Sequence, residues 1–175
     1  MPVVAHGGDP DRALQQQREF YEWIGRAIGQ WAFIEQNLWH TYRRIIEPGD
    51  LPAAASGFHA VINLTARLDV IHAAISTSRK YQDRTDEWNK LHRKIRQQSA
   101  RRARLSHWTP TQVADSNIDP GGPMFLEPPI YDFTKFDVHG DRERIDIRQV
   151  RQWCGAFAKL AVQIDDFWRS LITAK

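Results

Sequence analysis

Arg102 and His107, five residues apart, are the side chains of this sequence best suited to chemistry on a phosphate. A guanidinium is a permanent cation that can hold two phosphate oxygens at once. An imidazole has an ordinary pKa of ~6.5, so it can accept or donate a proton near neutral pH. On an ideal helix the two residues are ~7.5 Å apart along the axis and roughly 140° apart around it. They can therefore converge only if the helix unwinds near Ser106, or if a second subunit supplies one of them.

The pair ends the most basic stretch of the chain. Between Arg79 and Arg104 there are ten basic residues and three acidic ones, although the net charge of the whole chain is only +3. Such a stretch indicates a polyanionic partner, although a solvated helix face is an equally good explanation of charge alone. We predict that four cations of this stretch bind the backbone of this partner: Arg93, Lys94, Arg96 and Arg101. Trp108, just beyond the stretch, is predicted to stack on a base.

Two charged residues interrupt apolar stripes of helical period. Glu35 lies between Trp31 and Leu38 on the first predicted helix, and Arg102 precedes Leu105 on the third. A buried charge is costly unless it is paired. We therefore expect Glu35 to pair with Arg102, or both to line a polar cleft. The alternatives are a purely structural ion pair and a stripe that reaches the surface near a helix end.

Four long segments with helical period must position these residues. The predicted helices cover about 11–47, 52–80, 85–107 and 146–171. The sequence Pro48-Gly49-Asp50 ends the first, and Pro52 is well placed in the first turn of the second. The fold class predicted is all-α, an antiparallel four-helix bundle forming a single domain over 1–175.

A flap separates the third and fourth predicted helices, over about 109–145. Its proline and glycine residues exclude a continuing helix. The apolar runs 124–126 and 130–133 could each form a short strand of a β-hairpin. The aromatic residues of this segment favour an ordered flap that packs on the bundle.

Several functional classes are excluded by the composition. The single cysteine, Cys154, rules out a disulfide framework and a cysteine-based zinc site. The paired Glu-x-x-His motifs of di-iron bundles are absent, so we expect neither a metal nor a cofactor. No apolar run is long enough to span a bilayer, and the first residues lack the pattern of a signal peptide. We therefore expect a cytoplasmic protein without a membrane partner.

The segment Arg102-Ala103-Arg104-Leu105-Ser106-His107, late in the third helix of an all-α chain, resembles the motif of the HEPN superfamily. These are helical-bundle proteins whose hallmark is an Arg and a His separated by four to six residues. The common version is R-N-x-L-A-H, in which Arg102, Leu105 and His107 match and Ser106 is a small residue in place of Ala. Ala103 departs from it, because many active members carry Asn, Asp or His there. The sequence Trp-Ala-Phe-Ile-Glu at 31–35 is also similar to many bacterial members.

The resemblance implies a metal-independent endoribonuclease, in which the 2′-hydroxyl of RNA attacks the adjacent phosphate. His107 would transfer a proton, and Arg102 would stabilise the charged phosphorane. Glu35, Arg104 and Ser106 would support them, since Arg104 is a neighbour of His107 on a regular helix. In the family two chains usually face each other, so the resemblance implies a homodimer whose two motifs line one cleft. It also implies a toxin or phage-defence component, with an antitoxin or nucleotidyltransferase as partner.

Two other functions fit the same sequence. The first is a non-catalytic bundle of the same fold that binds nucleotide, RNA or a protein, and Ala103 favours it. The second is a purely structural bundle that oligomerises through an exposed apolar stripe. Fold resemblance alone does not choose between these functions.

Overall fold

The structure is a computed structural model that describes residues 10–112, 122–129 and 143–173. Within these residues the chain is mostly helical, as the periodicity predicts, with five α-helices and a small three-stranded sheet. The helices are α1 (Pro10–Ile46), α2 (Leu51–Ala60), α3 (Leu64–Thr77), α4 (Thr85–His107) and α5 (Ile147–Thr173). The strands are β1 (Thr109–Gln112), β2 (Met124–Glu127) and β3 (Ile145–Asp146). None of the described helices has the length and apolar character that a membrane crossing requires.

The prediction of one continuous helix over 52–80 is wrong, because the chain breaks between α2 and α3. Val61 adopts an extended conformation (φ −76°, ψ 94°) at the end of α2. The Asn63 side chain then caps α3 by accepting a hydrogen bond from the Ala66 N–H at 3.1 Å. Asparagine is among the best N-cap residues, because its side chain satisfies an amide that the first turn leaves unpaired. The apolar spacing of Val61, Leu64 and Leu68 continues across the break and conceals it.

The other helix limits agree closely with the predicted ones. α1 ends where Glu47 adopts a left-handed conformation (φ 42°) and its N–H donates to the Arg43 carbonyl oxygen at 3.1 Å. This is a common helix ending, although glycine is more usual there. The next helix, α2, begins with Asp50 as its N-cap, since the Asp50 carboxylate accepts from the Ala53 N–H at 3.0 Å.

The strands form an antiparallel sheet in the order β1-β2-β3. β2 confirms the strand predicted at 124–126, whereas the segment 130–133 lies outside the described residues. β1 and β3 were not predicted: β1 lies in the segment predicted as a flap, and β3 has two residues. Pro110 is tolerated because β1 is an edge strand. Leu126 and Ile145, which are partners across β2 and β3, are buried.

The chain divides into two compact units, each made of two segments. The sheet unit comprises Met1–Ile28 and Arg101–Gly155, and the helical unit comprises Gly29–Ala100 and Ala156–Lys175. The sheet unit buries residues of α1, α4, α5 and the sheet, among them Phe20, Leu105, Leu126, Ile145 and Val150. The helical unit buries the predicted apolar stripes, among them Trp31, Leu38, Ile71, Trp88, Ile95, Phe157 and Ile164.

In the helical unit, α1 and α5 run parallel, which corrects the predicted antiparallel arrangement. Trp31 packs on Phe157, with ring centroids 5.2 Å apart, and Asn37 Nδ2 donates to the Ala161 carbonyl oxygen at 2.9 Å. From Trp31 to Asn37 along α1, the contacted residue changes from Phe157 to Ala161 along α5, so the two helices run in the same direction. By contrast, α4 runs antiparallel to α5. The break between α2 and α3 gives the described chain five helices in place of the predicted four.

Candidate active site

α4 carries the Arg102–His107 motif as regular helix up to His107. The Ser106 hydroxyl donates to the Arg102 carbonyl oxygen at 2.8 Å, and the Trp108 N–H donates to the Arg104 carbonyl oxygen at 2.9 Å. The i to i−4 spacing of these bonds is that of an unbroken helix. The helix therefore does not unwind near Ser106, and the first of the two routes to convergence is excluded.

The two proposed catalytic side chains differ in exposure. His107 is exposed, as is Ser106, whereas Arg102 is half-buried. Within its own unit, the described part of the chain gives the Arg102 guanidinium no hydrogen-bond or ion-pair partner. The helix therefore carries an accessible imidazole, that of His107, after a half-buried guanidinium, that of Arg102.

Arg104 is held from two sides in the sheet unit. Its guanidinium lies 5.0 Å from the centroid of the Trp108 ring, and its Nη1 is 2.5 Å from Glu143 Oε1. The partner Glu143 was missed from the sequence, because it precedes β3 and lies 39 residues away in the chain. A carboxylate near a helix end is not a distinctive signal, so only the fold connects the two residues.

Trp108 is largely enclosed, with 8% of its surface exposed. Since Arg104 lies over its ring, a base could stack there only by displacing the Arg104 side chain. Arg101 is half-buried, with its guanidinium 5.9 Å from the centroid of the Trp153 ring on α5. Among the predicted RNA-binding residues of the sheet unit, both are therefore packed against their own chain. Their binding to RNA stays a prediction.

The remaining predicted site residues belong to the helical unit. Arg93, Lys94 and Arg96 are exposed on α4, and Lys94 Nζ donates to Gln163 Oε1 at 2.9 Å. Glu35 is half-buried, and its Oε1 accepts a hydrogen bond from Trp31 Nε1 at 3.1 Å.

This hydrogen bond gives Glu35 a local role that sequence reasoning missed. The sequence signal for this bond is the four-residue spacing of Trp31 and Glu35, because residues four apart are neighbours on a helix. The predicted pairing of Glu35 with Arg102 would join the two units and stays a prediction.

Other titratable groups show how burial acts in the helical unit. Burial lowers the pKa of His92, and Arg96 and His72 lower it further while Asp69 opposes them. His92 Nε2 is 3.7 Å from Asp69 Oδ1. Among the described residues, no group of three or more His, Cys, Asp or Glu side chains is arranged to hold a metal ion.

Cys154, in the sheet unit, is buried, and burial raises the pKa of its thiol. A buried thiol with a raised pKa is a poor nucleophile, because the thiolate is the reactive form. Cys154 therefore takes no part in the candidate site.

No protein-family model, curated protein or solved structure matches the chain. The resemblance to the HEPN superfamily thus depends on the motif residues and on the helix that carries them. In the structure that helix is regular, basic and exposed at its end.

Proposed function

We propose that this chain is a metal-independent endoribonuclease of the HEPN type. The observation that carries the proposal is the end of α4, where His107 is exposed about one and a half turns beyond Arg102. The guanidinium of Arg102 has no hydrogen-bond or ion-pair partner among the described residues of the sheet unit. Histidine can transfer protons and arginine can stabilise negative charge, and RNA contains its own nucleophile, the 2′-hydroxyl.

The proposed reaction is an attack of the 2′-hydroxyl oxygen on the adjacent phosphorus. A bond forms between O2′ and phosphorus, and the bond between phosphorus and O5′ breaks. A neutral imidazole accepts the O2′ proton, and a protonated imidazole donates one to the departing O5′. Arg102 holds the nonbridging oxygens, whose negative charge grows in the transition state. The products are a 2′,3′-cyclic phosphate and a 5′-hydroxyl.

The proposed active form is a homodimer with twofold symmetry. An unbroken α4 separates Arg102 from His107 by about 140° around the helix, so one chain is poorly placed to bring both to one phosphate. Two chains with their α4 ends facing each other would supply the missing partner. The imidazole that accepts the O2′ proton then holds the proton that the departing O5′ needs.

For the helices we propose a four-helix bundle of α1, α3, α4 and α5. Contacts within the helical unit support it: α1 packs on α5 through Trp31 and Phe157, and α4 packs on α5 through Trp88 and Phe167. The rings of His72 on α3 and His92 on α4 are 6.4 Å apart. Such a bundle holds α4 rigid, as a site built on a helix requires.

In this proposal the other residues of α4 either bind the RNA or hold the end of the helix in position. The exposed cations Arg93, Lys94 and Arg96 contact the RNA backbone, which carries no sequence information. Arg104, fixed by Glu143, and Ser106, bonded to the Arg102 carbonyl oxygen, keep the helix end in shape. We further propose a role as a toxin or phage-defence component, with an antitoxin or nucleotidyltransferase as partner.

A second candidate function is a bundle that binds nucleotide, RNA or a protein without cleaving it. The observation in its favour is Ala103, whose exposed methyl group can make no polar contact with a phosphate. A chain that shifts RNA in a gel-retardation experiment but does not cleave it would select this function.

The test is incubation of the full chain with total RNA in the presence of EDTA. We expect cleavage to persist, and the fragments to carry 2′,3′-cyclic phosphate ends. Arg102→Ala and His107→Ala should each abolish it, while the exposed controls Arg18→Ala and His59→Ala should not. Loss of cleavage in EDTA, or full activity of both motif variants, would show that the assignment is wrong.

A further inference from the structure

A second feature of the sheet unit is a cavity of about 460 Å³. Its walls come from three elements of that unit: the first turns of α1, strand β2 and the start of α5. The side chains that line it include Gln16, Glu19, Phe125, Asp146, Ile147 and Arg148. None of these residues belongs to the Arg102–His107 motif, so the cavity is a separate site.

The apolar wall is suited to a flat ring. Phe125 lies on β2 between the buried residues Met124 and Leu126, so its side chain points to the opposite face of the sheet. Its ring is half-buried, and the Arg144 guanidinium lies 5.6 Å from its centroid. With Ile147 nearby, it provides a surface on which a planar group can stack.

The wall formed by α1 carries hydrogen-bond acceptors. Gln16 Oε1 is shielded from water and has no hydrogen-bond partner among the described residues. Such a buried acceptor is unfavourable unless a donor reaches it. Glu19 lies three residues later on the same face of the helix, and its carboxylate accepts from Arg151 Nη2. A ligand that fills this cavity therefore needs donors on one edge.

The charges indicate which part of a ligand lies inside. Two carboxylates, those of Glu19 and Asp146, line the cavity, and the Asp146 carboxylate is 2.8 Å from Arg148 Nη2. The Arg148 side chain is 87% exposed and so extends from the rim into water. Among the residues that line the cavity Arg148 is the cation, so a phosphate would be attracted to the rim.

We infer that this cavity binds the base of an unpaired ribonucleotide, with a preference for guanine, while Arg148 contacts its phosphate. Guanine has adjacent donors, N1–H and the N2 amino group, that match the acceptors of Gln16 and Glu19. Uracil offers a single donor between two carbonyl groups, and adenine and cytosine each offer one amino group on that edge. The choice of a ribonucleotide rests on the proposed function, whereas the donor requirement rests on the cavity alone.

The test is isothermal titration of the full chain with GMP, AMP, CMP and UMP. GMP should bind most tightly, and Gln16→Leu should weaken it about tenfold, the effect of one good hydrogen bond. Gln17→Leu is the matched control, because Gln17 is exposed on α1 outside the cavity. Arg148→Ala should reduce the affinity for GMP towards that for guanosine.

Any of three results would overturn the inference: equal affinity for all four nucleotides, no binding of GMP at millimolar concentration, or an equal loss of GMP affinity in Gln17→Leu. The outcomes are distinct from those of the cleavage assay. If His107→Ala binds GMP and the unaltered chain does not cut RNA, the proposed function fails and this inference stands. If RNA is cut in EDTA but GMP does not bind, this inference fails and the proposed function stands.

Discussion

In the helical unit, aromatic rings of different helices pack on one another, whereas in the sheet unit charged side chains connect the helix end with the sheet segment. Trp88 is fully buried, with its ring 5.9 Å from that of Phe167. In the sheet unit, Glu143 contacts Arg104, and Arg144 Nε donates to Glu127 Oε1 at 2.8 Å. The Arg102–His107 motif therefore lies at the end of the apolar stripe of α4, next to the ion pair of Arg104 with Glu143. Both units have a buried core, and the proposed catalytic residues belong to the sheet unit.

The largest expected effect is on the stability of the helical unit. Trp88→Ala removes a fully buried side chain, and such truncations cost about 3–5 kcal/mol of the free energy of unfolding. Chemical denaturation monitored by circular dichroism measures it. Cleavage per folded molecule should be unchanged, because Trp88 is outside the motif. A loss of specific activity in the folded variant would show that the two roles are not divided between the units.

Glu35 belongs to the helical unit, but a contact with Arg102 is predicted to give it an effect on RNA cleavage as well. Glu35→Gln keeps an acceptor for Trp31 Nε1, so the free energy of unfolding should change by less than about 0.5 kcal/mol. If the carboxylate also holds Arg102, cleavage should fall by about tenfold, the effect of one lost charged contact. Glu35→Ala should lower stability as well. Unchanged RNA cleavage by Glu35→Gln would restrict Glu35 to its bond with Trp31.

A smaller effect is expected where the second predicted helix breaks. Asn63→Ala removes the side-chain cap of α3 and should cost about 1 kcal/mol of unfolding free energy. Thr65→Ala, an exposed change two residues later, is the control. If the two variants are equally stable, the break does not depend on the Asn63 cap. RNA cleavage should be normal in both, because α3 belongs wholly to the helical unit.

The smallest expected effect is a pH dependence of stability. Burial lowers the pKa of His92 in the folded chain, so the unfolded chain binds protons more readily there. The stability contribution is therefore present above the unfolded pKa of ~6.5 and is lost as the pH falls towards the folded pKa. His92→Gln should flatten the unfolding free energy over this interval, unlike the exposed control His59→Gln. An identical pH profile in His92→Gln would contradict this.

The sequence predicts most of the helical unit, because its helices bury stripes of regular period. α4 has the predicted limits, and its motif lies on helix as expected. The break at Val61–Asn63 was missed because apolar spacing continues through it. β3 was missed because two residues carry no period, and its pairing with β2 depends on contacts distant in the chain. For the same reason the contact of Arg104 with Glu143 could not be predicted.

The central claim is that two chains together form the cleavage site, one supplying Arg102 and the other His107. The most direct measurement mixes Arg102→Ala with His107→Ala, refolds them together and assays RNA cleavage in EDTA. A mixed dimer contains one intact Arg102 and one intact His107 on different chains. We predict that cleavage returns in the mixture, although each variant alone is inactive. If the mixture stays inactive while mixed dimers form, the composite site is contradicted.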